Sequence, residues 1–276
     1  MEIDVALVAS LVARQFPQYS HLPISPVHPG GNDNRTFRVG AALSARLPSA
    51  PSYVSAVEKE HRWLPELARG LPVAVPVPVG LGTPGSGYPW PWSLNRWLPG
   101  SDLSTVEQVD RPGLAASLGR FLNALHDIDG NNGPLAGEHT FYRGASLTHY
   151  DGEARSVLRT PEEAKVWEEA VTSSGSGPLM WFHGDLAPGN ILIEEGGLSA
   201  VIDWGTSGVG DPACDLTLAW TFFEASDRQV FASEVEADSG TWRRARGWAL
   251  WKALITGGAE CNRVVREILS DPVHAR

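Results

Sequence analysis

Four polar residues between Trp181 and Trp204 carry types and spacings that can do chemistry: His183, Asp185, Asn190 and Asp203. Three of them are side chains that hold hard cations or accept protons. They are set in an apolar frame. Met180, Trp181 and Phe182 form a run that ends at His183, a polar loop carries Asp185 and Asn190, and Ile191 to Ile193 form a second run. Glu195-Gly196-Gly197 has the composition of a hairpin turn, and Leu198 to Ile202 return as a third strand ending at Asp203. The pattern predicts that all four polar residues gather at one end of a small sheet.

The spacing His183-x-Asp185-Leu186-x-x-x-Asn190 is that of a kinase catalytic loop, with Gly184 where protein kinases carry arginine. Asp203-Trp204-Gly205 stands in for Asp-Phe-Gly, and Gly210-Asp211-Pro212-Ala213-Cys214-Asp215-Leu216 follows. Together these stretches resemble the aminoglycoside phosphotransferase family, kinase-like enzymes that phosphorylate hydroxyls of antibiotics and small metabolites. The resemblance implies an α+β, two-lobe protein-kinase-like fold. Residues 1–94 would form a small α/β nucleotide-binding lobe and 95–100 a linker. Residues 101–276 would form a mainly helical lobe with the catalytic and acceptor sites. It also implies ATP, with GTP not excluded, and Mg²⁺.

On that resemblance Asp185 accepts the proton of the acceptor hydroxyl or aims it. Asp203 is the main magnesium ligand and Asn190 the second, both hard oxygen donors. His183 is a hydrogen-bonding brace, Asp215 holds the catalytic loop, and Asp211 caps a helix. Only Thr206 to Gly210 separate Asp203-Trp204-Gly205 from Asp211. That leaves no room for a phosphorylated activation loop, so a protein-kinase function is not expected. A metal hydrolase would need further ligands, and only His183 lies in this stretch.

The elements upstream must supply the nucleotide site. Asp4 can cap a first helix whose apolar face is Leu7, Val8, Leu11 and Val12. The segment from Ile24 to Val39 reads as strand, tight loop and strand. The loop brings Gly31, Asn32 and Asn34 to a phosphate, although adjacent glycines also suit an ordinary hairpin. In the strand Leu43 to Leu47, Arg46 occupies the place of the usual kinase lysine. Glu60, on a helix starting near Tyr53, is the expected brace for it; Pro65 should kink or restart that helix. Val73 to Leu81 alternates valine and proline and belongs at a sheet edge. A strand from Trp92 to Trp97 leads to Pro99-Gly100, with backbone groups of Asn95 to Trp97 expected at the adenine edge.

Beyond it, Leu114, Leu118, Phe121, Leu122 and Leu125 mark a core helix, and Thr160-Pro161-Glu162-Glu163 opens another with a capping box. Pro212 to Glu224 reads as an apolar helix followed by an acidic segment. Two closing helices span Thr241 to Ile255 and Glu260 to Leu269.

The formal charge is −10, from 32 acidic and 22 basic residues. That disfavours nucleic acid as a partner and suits a cationic small-molecule acceptor, for which Glu224 and Asp227 are the candidate carboxylates. Cys214 and Cys261 match no metal or redox spacing, no stretch approaches the ~20 apolar residues of a membrane span, and a cytoplasmic monomer or homodimer is expected. The leading function is phosphorylation of an aminoglycoside or another antibiotic. The alternatives are a metabolite kinase of the choline, amino-sugar or homoserine type, and a catalytically silent nucleotide-binding module.

Overall fold

The computed structural model describes residues 2–28, 30–31, 33–173, 175 and 177–271. They form two compact units. The first comprises Met1–Arg69, Ala74–Gly100 and Ala200–Gly205, and the second Gly70–Val73, Ser101–Ser199 and Thr206–Arg276.

In the first unit, Asp4 caps helix α1 (Val5–Gln15) by accepting from the Leu7 N–H at 2.8 Å, a contact worth about 1 kcal/mol. Strands β1 (Ile24–Pro26), β2 (Asn34–Val39) and β3 (Leu43–Pro48) precede helix α2 (Val54–Leu67), which is followed by β4 (Pro78–Gly82) and β5 (Trp92–Arg96). The sheet order is β1-β2-β3-β5-β4, so β4, which opens on Pro78, lies at an edge, where a missing N–H breaks no inner ladder. Val8, Leu11 and Val12 of α1 pack on Phe37, Val39, Ala45, Leu47, Trp92 and Leu94 to make the core. Pro65 lies inside α2, which runs on to Leu67. Leu64 and Leu67 are both buried, and that packing outweighs the donor the proline lacks.

The second unit begins with β6 (Ser101–Asp102) and α3 (Arg111–His126), whose expected apolar stripe is buried throughout. Helices α4 (Asp151–Val157) and α5 (Pro161–Thr172) follow. Thr160 caps α5, but Glu163 reaches back to the N–H of Arg159 at 2.7 Å, one residue beyond a regular capping box. Next come β7 (Met180–Phe182), β8 (Ile191–Glu194) and β9 (Gly197–Val201), of which Ala200 and Val201 belong to the first unit. Glu195 and Gly196 both have positive φ, as a two-residue hairpin turn requires.

The three strands do not share one sheet. β8 lies between β6 and β9, whereas β7 pairs antiparallel with β10 (Gly208–Gly210). A Gly-Val-Gly run carries no strand signature, yet glycine is needed there: a Cβ on Gly210 would stand 2.3 Å from the Gly144 carbonyl.

The apolar helix expected from Pro212 to Glu224 is a 3₁₀ turn over Pro212–Thr217 followed by the short α6 (Leu218–Thr221). Its three-residue period stacks Pro212, Asp215 and Leu218 on one face, all of them buried. The acidic segment forms α7 (Ala225–Glu234), and α8 (Ser239–Thr256) and α9 (Gly258–Ser270) close the chain. α8 packs against α5, α9 and the 3₁₀ turn, so most of its faces are buried. No helix among the described residues is long and apolar enough to cross a membrane.

Candidate active site

The loop after β7 is fixed from beneath by Asp215. Its carboxylate is fully buried and accepts from the N–H groups of His183 at 2.6 Å and Gly184 at 2.7 Å. Burial pushes the Asp215 pKa up, partly offset by His183 and these two amides. Gly184 has a φ of +86°, and a Cβ there would come 2.7 Å from the Thr206 carbonyl. Only glycine fits, which excludes the arginine of protein kinases on steric grounds. His183 is buried; its Nδ1 accepts from the Asp185 N–H at 3.2 Å, and its carbonyl accepts from Thr206 Oγ1 at 3.0 Å.

These contacts present the half-buried Asp185 carboxylate with both oxygens held. Asn190 Nδ2 donates to the Asp185 carbonyl at 2.9 Å and to Oδ2 at 3.3 Å, while Lys252 Nζ, from α8, donates to Oδ1 at 2.8 Å. Burial alone would raise the Asp185 pKa. The charge and hydrogen bond of Lys252, with His183 and Arg143 behind it, outweigh that and hold it below the usual carboxylate range. A partly exposed pair of this kind adds no more than about 1 kcal/mol to stability. Its consequence lies in the protonation and aim of Asp185.

If Asp185 acts as a general base it must be ionised, and removing Lys252 then has a signed effect. In Lys252→Met the burial remains and the compensating charge is gone, so the Asp185 pKa rises. The acid limb of kcat/KM then moves to higher pH, while Lys252→Arg keeps it in place. A pH–rate profile of the two variants beside the parent checks this, and an unmoved limb in Lys252→Met would contradict it.

In the first unit, Arg46 on β3 binds two carboxylates: NH1 lies 3.2 Å from Glu60 Oε2 and NH2 lies 2.6 Å from Asp203 Oδ1. Burial works against the guanidinium charge, but Glu60 and then Asp203 more than offset it, and the pKa rises above the ordinary arginine value. Asp203 has a φ of +65°, a left-handed backbone that aspartate tolerates better than most residues. Beside this cluster Lys59 Nζ donates to the Gly205 carbonyl at 2.7 Å, and burial lowers its pKa to about 8.

Because Glu60 is only 6 % exposed, Arg46→Ala would strand a buried carboxylate, at a cost of about 3 kcal/mol. If Arg46 also holds phosphate, ATP affinity falls about ten-fold or more in the same variant, charged hydrogen bonds being worth roughly 1.5–3 kcal/mol. Glu60→Gln gives smaller losses of both. Thermal melts and calorimetry with ATP separate the two effects, and unchanged ATP binding in both variants would remove Arg46 from the nucleotide site.

The remaining expected residues fall as follows. The Gly31 carbonyl accepts from Arg35 NH1 at 2.6 Å, and Asn34 opens β2 opposite Pro48; Asn32 lies outside the described residues. The N–H groups of Arg96 and Trp97 donate to Val77 and Ala42. They are therefore engaged within the unit, and the Trp97 ring is covered by Arg38 at 3.9 Å. The Asn95 side chain is buried with neither Nδ2 nor Oδ1 hydrogen-bonded. Asp227 is buried and accepts from Arg111 Nε at 2.9 Å, and Glu224 is exposed at the N-cap of α7.

Neither carboxylate borders the small cavity beside Asp185, whose lining includes Arg143, Leu186, Trp248, Trp251 and Lys252. Asp227 is committed to Arg111. Lys252 and Arg143 were not anticipated. One signal was available: Lys252 is one of three lysines and follows Trp248 by four positions, which puts both on one helix face. His183, Asp185, Asn190 and Asp215 come together in the second unit, whereas Asp203 lies in the first with Arg46 and Glu60.

The family model described as the phosphotransferase enzyme family, APH, matches residues 25–248. The chain belongs to this family. Among solved structures, the GDP complex of wild-type aminoglycoside 2'-phosphotransferase-IIIa matches with a TM-score of 0.72 at 16% identity, covering 96% of this chain and 97% of that one. Macrolide 2'-phosphotransferase MphH from Brachybacterium faecium, as apoenzyme, matches with a TM-score of 0.67 at 26% identity, covering 97% and 99%. The streptomycin-ATP-APH(2")-IIa ternary complex gives 0.61 at 15% identity, covering 98% and 97%. No curated protein matches the sequence. The fold is that of these APH phosphotransferases, α+β and kinase-like, with the small sheet-rich unit and the mainly helical unit expected from the sequence.

Proposed function

We propose that this APH-family chain transfers the γ-phosphoryl group of ATP to a hydroxyl of a small molecule, with Asp185 as the group that receives or aims the hydroxyl. The observation that carries the reading is the Asp185 carboxylate, held at both oxygens on a loop pinned by Asp215. It is ionised, oriented and partly open, as a proton acceptor must be.

Asn190 and Asp203, the residues assigned to magnesium, each offer it an oxygen donor. Asn190 commits its amide nitrogen to Asp185, which leaves its Oδ1 as the atom free to face a cation. Asp203 keeps Oδ2 beside the oxygen held by Arg46. No group of three or more His, Cys, Asp or Glu side chains forms a metal cage among the described residues. Magnesium needs none, since it is held by one or two carboxylates together with substrate phosphates. When bound it would neutralise charge on the β- and γ-phosphates. Arg46, braced by Glu60, would hold phosphate from the protein side, and the unpartnered Asn95 amide would be satisfied by a nucleobase edge.

For the acceptor, an antibiotic is supported by the neighbours, one of which is a kanamycin complex with GDP and another a gentamicin complex. A metabolite hydroxyl is favoured by a different observation, the arginine without a carboxylate partner, Arg143, in the lining of the cavity beside Asp185. A catalytically silent nucleotide binder would have no use for the Lys252–Asp185 pair. Two buried free cysteines fit a reducing cytoplasm. Incubating the purified chain with Mg-ATP and aminoglycosides, macrolides, choline, amino sugars or homoserine tests the reading by acceptor-dependent ADP formation. ADP formation with no dependence on any acceptor would contradict it.

A further inference from the structure

The cavity beside Asp185 holds one cation that the proposed chemistry does not use. Arg143 lies over the face of Trp251 at 4.6 Å and of Trp248 at 5.6 Å, so two indole rings hold its guanidinium in place without neutralising it. Among the described residues no carboxylate lies within ion-pair distance of it, and its NH1 nitrogen is buried with no hydrogen-bond partner. A buried donor left unpaired costs about 1–3 kcal/mol, so this one calls for an explanation.

The nearby carboxylates are all committed elsewhere. Asp211 binds Arg244 at 2.6 Å, Asp215 takes the amides of His183 and Gly184, Glu153 accepts from Trp251 Nε1 at 2.7 Å, and Asp185 is paired with Lys252. The buried arginines of this unit are satisfied: Arg228 by Glu267 and Asp271, Arg244 by Asp211, and Arg246 by the Ile268 carbonyl. Arg143 is half-buried and hydrogen-bonded to the Tyr150 phenol but paired with no carboxylate, and it borders the cavity that contains the reacting carboxylate.

We infer that the acceptor is a hydroxylated anion, whose carboxylate or phosphate pairs with Arg143 while its hydroxyl reaches Asp185. The inference rests on the phosphotransferase reading and narrows it. Planar guanidinium matches the two oxygens of such a group. In the reaction the acceptor oxygen bonds to the γ-phosphorus, the bond from that phosphorus to the β,γ-bridging oxygen breaks, ADP leaves, and the hydroxyl proton passes to Asp185. The charge of Arg143 disfavours a polycation at this position.

Galacturonate and galactose, which differ by a carboxylate, are suitable probes. Calorimetry on the full chain saturated with Mg²⁺ and a non-hydrolysable ATP analogue should show at least ten-fold tighter binding of galacturonate. That preference should vanish in Arg143→Met and return in part in Arg143→Lys, with affinity for the ATP analogue unchanged. No preference for the acid, or a preference that survives in Arg143→Met, overturns the inference; the Arg143→Lys variant decides if the methionine variant fails to fold. Loss of kcat with acid and neutral sugar alike, at unchanged KM, also overturns it, because Arg143 would then serve the transferring phosphoryl group. Failure of the broader reading looks different: the acid would bind in an Arg143-dependent way, yet no ADP would form with any hydroxyl compound.

Discussion

Asp185→Asn loses at least about a hundred-fold in kcat, the usual scale of a general-base contribution, while affinity for ATP stays within a few-fold. The substitution keeps size and removes the charge. Oδ1 of the parent accepts from Lys252 and Oδ2 from Asn190, so the amide leaves one of these donors without its acceptor and offers no site for the hydroxyl proton. The loop itself survives, because its backbone is pinned by Asp215 through His183 and Gly184 rather than by Asp185. Single-turnover kinetics and calorimetry with ATP check both halves. Turnover equal to the parent's would remove Asp185 from the chemistry.

Asp203→Ala has the second large effect, abolition of turnover even at saturating ATP. If Asp203 is the main magnesium ligand, no excess of nucleotide replaces it. The fold tolerates the change, because Arg46 keeps its buried partner Glu60. Asp203→Asn is the sharper control: asparagine accepts the left-handed backbone at this position as readily as aspartate does, so it isolates the charge from the strain. Both variants should be inactive and should melt within a few degrees of the parent. Asn190→Ala should instead retain activity with a raised magnesium requirement. Full activity of Asp203→Asn would place the metal elsewhere.

The readable parts of the site were those whose partners lie close along the chain or follow a regular period. His183, Asp185 and Asn190 sit within eight positions, and their spacing alone carried the resemblance. Arg46 and Glu60 could be paired because an alternating strand and a 3.6-residue helix each give a definite face. What was not readable depends on packing between distant segments. Lys252 reaches Asp185 across 67 residues, and no local pattern announces such a contact. Strand β10 is three residues long and has two glycines; only the close approach of Gly144 explains it.

The 3₁₀ turn at Pro212–Thr217 defeated helical periodicity, because Pro212, Asp215 and Leu218 also fit an α-helical face at a spacing of three. Charge gave no position for the acceptor. A net −10 suggested carboxylates around the acceptor, yet Asp227 is spent on Arg111 and the lining beside Asp185 carries Arg143 and Lys252. Net charge describes the whole surface and not one cavity.

The measurement that bears most directly on the central claim follows label from the γ-phosphate of ATP into an acceptor, run with the parent chain, with Asp185→Asn, and with EDTA added to the parent. The account predicts a labelled phosphate ester that forms only with the parent, only with magnesium, and only when a hydroxyl compound is supplied. Label transferred equally by Asp185→Asn, or transferred in the presence of EDTA, would contradict it.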